Sequence, residues 1–251
     1  MSAGPDGGGA PADRAAQLRE RLAAVRGRVD AAARAAGRDP GELTLVVVTK
    51  HFPAGDVLEL VGLGVGDVGE NRDQEAAAKA ADVAARLGSA APRWHFVGQL
   101  QTNKARSVAR YASAVHSVDR ARLVGALDRA AQDAQRRLEV FLQVDLAPAL
   151  GHDADPGRGG APAADVPALA EAVAAADALR LAGLMAVAPR DADPARAFAV
   201  LHELSLALRR EHPSATGLSA GMSGDLEQAV AAGATHLRVG SAVLGPRPAP
   251  R

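Results

Sequence analysis

The fold of this 251-residue chain is decided by one stretch of sequence, LTLVVVTK, which occupies residues 43–50. The stretch is short and rich in β-branched residues, and Pro40 and Pro53 lie on either side of it. This composition and length are typical of a strand that is buried on both faces in a parallel sheet. The stretch ends in Lys50, which is either an ordinary lysine that reaches out to water or a chemically reactive amine.

Outward from this stretch, the chain alternates between strand patterns and helix patterns. Strands are predicted at residues 43–50, 67–69, 94–97, 114–118, 138–145, 180–187, 216–220 and 235–239. Between them, helical patterns occupy residues 54–63, 73–87, 120–136, 166–176, 194–210 and 225–232, and an amphipathic helix at 13–36 precedes the first strand. Eight strands alternating with helices predict a single-domain α/β fold, a (β/α)8 TIM barrel with an extra N-terminal helix. A doubly wound open sheet is the alternative, although that fold rarely has eight regular repeats.

The composition argues against several classes of protein. The 29 basic residues balance the 29 acidic ones, so nothing points to a nucleic acid or an anionic membrane as partner. The absence of cysteine excludes disulfides and thiolate metal sites, and the seven histidines have no metal-ligand spacing, so we predict no metal. With no signal peptide and no run of about 18 apolar residues, the sequence predicts a cytoplasmic protein with no membrane partner.

The barrel domain is expected to span residues 13–246, between a disordered leader at 1–12 and a flexible tail at 247–251. One connection inside it, residues 147–167, is long and rich in proline, glycine and aspartate. Long loops in compact domains are either functional lids or disordered segments, and both alternatives stay open here. The role of Arg158, which lies in this loop, is equally open.

The ends of the last two predicted strands have the composition of a phosphate site. Ser223 and Gly224 follow strand seven, where Ser223 is also a good N-cap for the next helix, and Gly240 and Ser241 follow strand eight. Helix N-termini offer unpaired N–H groups to anions, and these two loops are the usual phosphate position in a (β/α)8 barrel. Plain helix capping is the alternative explanation for Ser223, but the two ends together favour a phosphate.

Side-chain alternation along the strands places charged residues inside the barrel. In residues 235–239 it directs His236 and Arg238 to the interior, and in residues 43–50 it directs Lys50 there as well. Close to Arg238 and away from water, Lys50 is expected to favour its neutral, nucleophilic amine. An interior lysine and a phosphate site indicate an aldehyde-bearing phosphate ester, either pyridoxal 5′-phosphate or the sugar-phosphate substrate of an aldolase.

Six motifs in order along the chain carry a family resemblance. They are VTK (48–50), VGEN (68–71), WHFVGQLQTNK (94–104), GLMA (183–186), GMSGD (221–225) and RVGSA (238–242). With these motifs the chain resembles the pyridoxal-phosphate homeostasis protein family, single-domain relatives of the alanine racemase barrel among the fold-type III pyridoxal-phosphate proteins. The resemblance covers residues 18–245.

The resemblance implies pyridoxal 5′-phosphate as cofactor, held as a lysine aldimine. The cofactor-binding residues that it implies are Lys50, Asn71, Met222, Ser223, Arg238, Gly240 and Ser241. Within this set it assigns the aldimine to Lys50, the ring nitrogen to Arg238, and the phosphate to the two serines and Gly240. His51 departs from the threonine that often follows the lysine, and Ala220 from the methionine that is common there. Neither is one of the implied contacts.

Three other residues have weaker claims to a role. His95 either points into the pocket or is a satisfied core histidine, with nothing to separate the two. Glu70 is expected to orient a neighbour or cap a helix. Tyr111, the only tyrosine, is expected to serve packing rather than catalysis.

Three functions use such a site: a pyridoxal-phosphate carrier in intracellular homeostasis, an amino-acid racemase of the alanine racemase type, and a cofactor-free Schiff-base aldolase. The aldolase leaves Arg238 unexplained. Alanine racemases take a tyrosine base from a second domain, and this sequence ends just beyond strand eight. We therefore predict a monomeric carrier without catalytic residues, with apo pyridoxal-phosphate enzymes as possible recipients of the cofactor.

Overall fold

The computed structural model describes residues 11–153, 157 and 159–247. Eight parallel strands close into a barrel in the order of the sequence. They are β1 (Thr44–Val48), β2 (Asp67–Glu70), β3 (Arg93–Phe96), β4 (Ala114–Val118), β5 (Leu138–Gln143), β6 (Leu179–Met185), β7 (Gly217–Ser219) and β8 (His236–Val239). Because β1 pairs with β8, the sheet has no open edge. The predicted (β/α)8 barrel is confirmed, and the doubly wound alternative is wrong.

Helices follow the strands around the outside of the barrel. They are α1 (Pro11–Ala35), α2 (Ala54–Gly62), α3 (Asp73–Leu87), α4 (Ala105–Tyr111), α5 (Ala121–Asp133), α6 (Val166–Ala174), α7 (Pro194–Glu211), α8 (Leu226–Ala231) and α9 (Ser241–Leu244). The extra helix α1 precedes β1 and packs against α2, α8 and α9. Within the described part of the chain, no helix is long and apolar enough to span a membrane.

The described residues include only part of the predicted leader and tail. Helix α1 begins at Pro11, two residues before the predicted start, because proline fits the first turn of a helix. The rest of the predicted leader, residues 1–10, and residues 248–251 of the predicted tail lie outside the described residues.

The fold buries side chains in two places. The outer layer, between the strands and the helices, is one large cluster of valine, leucine and alanine that includes Val47 of β1 and Leu237 of β8. The barrel interior is lined by the alternate residues of each strand, such as Val46 and Arg238, which are cross-strand partners in the β1–β8 register. The strand faces predicted from alternation are therefore confirmed for β1 and β8.

The long loop after β5 returns to the barrel. Its second limb meets the end of β5 at Ala161, whose N–H donates to the Gln143 carbonyl (2.8 Å) and whose carbonyl accepts from the Asp145 N–H (2.9 Å). The N–H of Gly160 donates to the Asp119 carboxylate (3.4 Å). These bonds attach the limb to the mouth of the barrel at β4 and β5. Arg158 lies outside the described residues.

Candidate functional site

Lys50 lies two residues beyond the end of β1, at the mouth of the barrel. In the parallel register, Val48 pairs with Gly69 of β2. Two residues further along both chain segments, Lys50 is level with Asn71. Thr49 is buried and its hydroxyl donates to Glu70, on the side of β1 that faces α3. However, Lys50 is exposed to solvent. The expectation that it lies away from water is wrong, because a residue past the strand end emerges where solvent enters the mouth.

Thr49, the residue that precedes Lys50 in the chain, is held in place by a buried ion pair. Lys79 of α3 is 2.6 Å from a Glu70 carboxylate oxygen, and both side chains are almost fully buried. The Lys79 ammonium also donates to the Thr49 carbonyl (2.9 Å), and the Thr49 hydroxyl donates to Glu70 (2.6 Å). Burial raises the pKa of Glu70, while Lys79 and Thr49 act in the opposite direction. Glu70 thus orients its neighbours, one of the two roles expected for it.

The residue after Lys50 is held by the same helix. His51 has a φ of 70°, in the left-handed region that residues other than glycine seldom adopt. Its backbone N–H donates to the Glu75 carboxylate (2.7 Å), and that carboxylate also accepts from Lys79 (3.3 Å). The α3 clamp, formed by Glu70, Glu75 and Lys79, therefore fixes the backbone on both sides of Lys50.

Asn71, the residue after β2, depends on a glycine from the next strand connection. A Cβ atom on Gly98 would lie 2.3 Å from the Asn71 carbonyl oxygen and 2.8 Å from its Cβ, so only glycine permits this approach. The Asn71 side-chain oxygen is buried and has no hydrogen-bond partner among the described residues. A buried polar atom without a partner costs free energy. A ligand group that donates a hydrogen bond to this oxygen would remove that cost.

The structure brings together the two serines predicted to bind phosphate. The hydroxyl oxygens of Ser223 and Ser241 are 3.3 Å apart, and the Ser223 oxygen accepts from the Ala242 N–H (3.3 Å) in α9. The alternative explanation, that Ser223 caps the next helix, is wrong, because α8 begins only at Leu226 and Asp225 is at its N-cap position. Ser223 is instead hydrogen-bonded to the start of α9, so the connection after β7 is linked to the connection after β8.

Met222 is held through its backbone. Its N–H donates to the Asp225 carboxylate (2.6 Å), while its side chain is 38% exposed. The turn that carries it starts at Gly221, which has a φ of +87° and where a Cβ would lie 2.6 Å from the Ala229 Cβ. Glycine is required there by both the backbone angle and the space.

Gly240 brings the end of β8 close to the end of β1. A Cβ atom at this position would be 3.2 Å from the Val48 carbonyl oxygen, which is a tight contact. This approach places the Gly240–Ser241 pair beside the strand that leads to Lys50.

Arg238 is buried in the barrel interior, as predicted, with 5% of its surface exposed. One terminal nitrogen donates to the Ser219 hydroxyl (2.6 Å) and the other to the Ala186 carbonyl (2.9 Å). Burial lowers the pKa of Arg238 to about 10, so the guanidinium remains charged at neutral pH. A buried guanidinium can donate hydrogen bonds but cannot accept them.

His95 and His116 lie below Arg238 in the interior, and the His236 ring centroid is 6.3 Å and 6.1 Å from theirs. His95 Nε2 is 2.8 Å from the Asp67 carboxylate, and His95 Nδ1 is 2.8 Å from His116 Nε2. His116 Nδ1 is in turn 2.8 Å from the Ser219 hydroxyl. With both ring nitrogens bonded and no exposed surface, His95 is a satisfied interior histidine.

Sequence reasoning missed His116 and Ser219. The signal that could have found them is alternation, since His116 is two residues from Ala114, which faces the interior. Burial, together with the nearby His95 and Arg238, lowers the pKa of His116 well below its ordinary value. Although burial alone would raise the pKa of Asp67, the hydrogen bond from His95 and nearby positive charges lower it.

A separate cavity of about 260 Å³ opens at the ends of β5 and β6. Its lining includes Gln143, Asp145, His152 and Arg190. In an eight-stranded ring β5 is opposite β1, so this cavity lies across the mouth from Lys50. Among the described residues, no group of three or more histidine or carboxylate side chains is arranged to hold a metal ion.

Comparisons with known proteins match this chain and its fold. The family model of the alanine racemase N-terminal domain matches residues 21–248. A protein of Mycobacterium tuberculosis (strain ATCC 25618 / H37Rv) named pyridoxal phosphate homeostasis protein is 47% identical over 250 residues, which is 94% of this chain and 95% of that protein. PipY of Synechococcus elongatus PCC7942, solved with PLP bound, is 34% identical with a TM-score of 0.74, covering 91% of this chain and all of PipY.

The alanine racemase of Streptomyces coelicolor A3(2) is a more distant neighbour. It is 19% identical with a TM-score of 0.67, and the match covers 91% of this chain but 58% of the racemase, so it shows the fold alone. The barrel is thus of the alanine racemase N-terminal class. Within that class, the chain belongs to the pyridoxal phosphate homeostasis protein family.

Proposed function

We propose that this protein binds pyridoxal 5′-phosphate at the mouth of the barrel, as an aldimine on Lys50, and carries it in intracellular pyridoxal-phosphate homeostasis. The observation that carries the proposal is that the site residues follow the ends of four adjacent strands. Ser223 follows β7, Ser241 follows β8, Lys50 follows β1 and Asn71 follows β2. The names of the homologous proteins and the PLP bound in PipY support the same ligand.

Each residue of the site suits a different part of this ligand. The Lys50 amine condenses with the aldehyde and releases water, the Ser223 and Ser241 hydroxyls and Gly240 hold the phosphate, and Asn71 and Met222 line the pocket. Arg238 donates to the ring nitrogen. Because Arg238 retains its proton, the ring nitrogen stays an unprotonated acceptor, and bound pyridoxal phosphate then supplies only weak electron-sink chemistry. Storage and transfer need no more than that.

A carrier fits the described residues better than a racemase does. Racemisation needs acid–base groups on both faces of the substrate, and Lys50 provides one. Tyr111, the only tyrosine in the sequence, packs against the outer layer. Burial, together with the carboxylates of Asp73 and Glu70, raises its pKa. A tyrosine that stays protonated in the outer layer is unsuited to act as the second base.

The exposure of Lys50 supports transfer of the cofactor. An incoming amine can reach an imine at an open barrel mouth and displace Lys50 from it. We infer that apo pyridoxal-phosphate enzymes are the recipients, that the carrier works as a monomer, and that it does so in the cytoplasm.

The aldimine is tested by borohydride trapping, for which the chain is well suited. It has only three lysines: Lys50, Lys79, which is buried in an ion pair, and Lys104. The protein incubated with pyridoxal phosphate should be yellow, and reduction should fix the ligand to the Lys50 peptide. Lys50→Arg should abolish the trapping, and the matched control Lys104→Arg should retain it. Ligand fixed to another peptide, or persisting in Lys50→Arg, would show that the assignment is wrong.

The choice between carrier and racemase is tested with L- and D-alanine in deuterium oxide. The carrier should release its cofactor stoichiometrically, without repeated exchange of the Cα hydrogen. Catalytic exchange or racemisation would overturn the carrier and establish the enzyme in its place.

A further inference from the structure

Five residues form an unbroken line of hydrogen bonds through the barrel interior. From the first residue of β2 to the mouth they are Asp67, His95, His116, Ser219 and Arg238, and the successive distances are 2.8, 2.8, 2.8 and 2.6 Å. We call this line the interior chain. Only Arg238 has a part in the proposed function, so the other four members are unexplained.

At the mouth end, the direction of the hydrogen bonds follows from Arg238. The guanidinium can only donate, so the Ser219 oxygen accepts from it. The hydroxyl hydrogen of Ser219 then needs an acceptor, since a buried donor without one is costly. The partner that the structure offers is His116 Nδ1, which must therefore carry a lone pair. In neutral His116 the proton is then on Nε2.

At the other end, the direction follows independently from Asp67. Because the pKa of Asp67 is lowered, its carboxylate is ionised at neutral pH and accepts from His95 Nε2. In neutral His95, Nδ1 then carries the lone pair, and the N–H that it faces belongs to His116 Nε2. The two ends require the same tautomer of His116. Any other arrangement of neutral rings places two N–H groups or two lone pairs against each other.

The surroundings favour a neutral, immobile His116 ring. His95 and His116 have no exposed surface. Phe141 stacks on the His116 ring at a centroid distance of 4.3 Å and an interplanar angle of 24°. Burial disfavours an imidazolium ion in His116, and the charge of Arg238 adds to the effect.

We propose that Ser219, His116, His95 and Asp67 are positioning residues, which form a one-directional relay of donors from Arg238 to Asp67 and hold the guanidinium towards the ligand. The relay connects the buried Arg238 guanidinium to the Asp67 carboxylate, at the first residue of β2. Each group between them donates its hydrogen bond in the same direction. The Ala186 carbonyl is the other group that receives a hydrogen bond from Arg238. Without the relay, the guanidinium would keep one anchor and could turn. The role towards the ring nitrogen rests on the proposed function, whereas the polarity of the relay does not.

The polarity is tested in the ligand-free protein by ¹⁵N NMR of the histidine rings, in which protonated and unprotonated nitrogens have well-separated shifts. His95→Gln and His116→Gln assign the signals. At neutral pH each ring should carry its proton on Nε2 and a lone pair on Nδ1. A proton on Nδ1 of either residue, or a doubly protonated ring, would overturn the relay. This measurement needs no ligand and, apart from assignment, no variant.

The positioning role is tested with two buried serines. Ser219→Ala removes the hydroxyl that joins Arg238 to His116, and it should weaken pyridoxal-phosphate binding at least about 10-fold and leave His116 in mixed tautomers. The matched control is Ser117→Ala, because Ser117 is 1% exposed and its hydroxyl has no hydrogen-bond partner among the described residues. The control should bind the ligand as the wild type does, with His116 unchanged.

The outcomes separate the relay from the proposed function. If the wild type binds pyridoxal phosphate and Ser219→Ala binds it equally tightly, the positioning role is wrong while the proposed function stands. If the wild type binds none, the proposed function and the role towards the ring nitrogen both fail, and the ligand-free NMR still decides the polarity. Lys50→Arg should lose the aldimine and keep both tautomers, because it leaves the interior chain intact.

Discussion

The outer layer and the barrel interior are equally buried, but they are built from different residues. The outer layer is a continuous cluster of aliphatic side chains, in which shape and volume are the main constraints. The interior has a small apolar cluster around Phe141 and Met185, and much of the rest is the interior chain. Buried polar groups need partners, so each interior residue constrains the next. We infer that the outer layer supplies stability and that the interior supplies orientation.

The α3 clamp is an exception to this division between an apolar outer layer and a polar interior. It is a polar cluster in the outer layer, and it lies directly behind the end of β1. The interior chain approaches the same part of the mouth from inside, through Arg238. Buried polar residues are thus placed on both sides of the predicted site.

The largest stability effect is expected from breaking the clamp. Lys79→Met leaves the Glu70 carboxylate buried without its cation, which should lower the free energy of unfolding by about 3–5 kcal/mol. Urea unfolding at neutral pH measures it. The matched control is Arg86→Met in the same helix, whose ion pair with Asp82 is exposed, and it should change stability by less than about 1 kcal/mol.

A double variant separates charge from packing in the clamp. In Lys79→Met/Glu70→Leu no buried charge remains, so part of the lost stability should return. If Lys79→Met lowers the free energy of unfolding no more than Arg86→Met does, the Lys79–Glu70 ion pair contributes no more than an exposed pair, and the clamp does not stabilise the fold.

Removing volume from the outer layer should cost slightly less and leave the site intact. Leu127 in α5 is fully buried, and Leu127→Ala should lower the free energy of unfolding by about 2–5 kcal/mol through lost burial and the resulting cavity. Leu206→Ala is the matched control, since that leucine of α7 is 37% exposed, and it should change stability by about 0.5 kcal/mol or less. Pyridoxal-phosphate affinity, measured by absorbance titration, should be unchanged in both. A large loss of affinity in Leu127→Ala would contradict the division between the two regions.

The sequence predicted much of this arrangement. All eight strands and seven of the nine described helices follow from periodicity, which depends only on neighbours in the chain, whereas the short helices α4 and α9 lie outside the predicted helical patterns. Alternation also placed Arg238 correctly in the interior. It did not reveal the bond between His116 and Ser219, which are 103 residues apart and meet only when the barrel closes. The joining of Ser223 to α9 and the exposure of Lys50 depend likewise on how strand connections pack at the mouth.

Acid should destabilise the protein through the interior histidines. Burial lowers the pKa of His236 from 6.5 to about 4. Below pH 6.5 the unfolded chain therefore binds a proton that the folded chain does not, and stability falls with pH until about pH 4. At about 1.4 kcal/mol per pH unit, the contribution of His236 is about 3 kcal/mol. Above pH 6.5 this contribution is constant.

The pH effect is measured as the slope of unfolding free energy between pH 6.5 and 4. His236→Gln should reduce the slope, and Leu206→Ala, which removes no titrating group, should not. Because His236 also packs against Phe141, the slope is the diagnostic quantity and the absolute stability is not. An unchanged slope in His236→Gln would assign the acid sensitivity to other groups.

The smallest effect is expected at Met222, where a predicted site residue meets solvent. Its side chain is 38% exposed, whereas its N–H is bonded to Asp225, so its contribution to the site should come through the backbone. Met222→Gln keeps that bond and should change the free energy of unfolding by about 0.5 kcal/mol or less. Asp225→Ala removes the acceptor, frees the turn that carries Ser223, and should cost about 0.5–1.5 kcal/mol. Urea unfolding and pyridoxal-phosphate titration of both variants test this order. If Met222→Gln weakens binding more than Asp225→Ala does, the side chain itself contacts the ligand, and the exposed rim of the mouth contributes more to the site than its backbone geometry indicates.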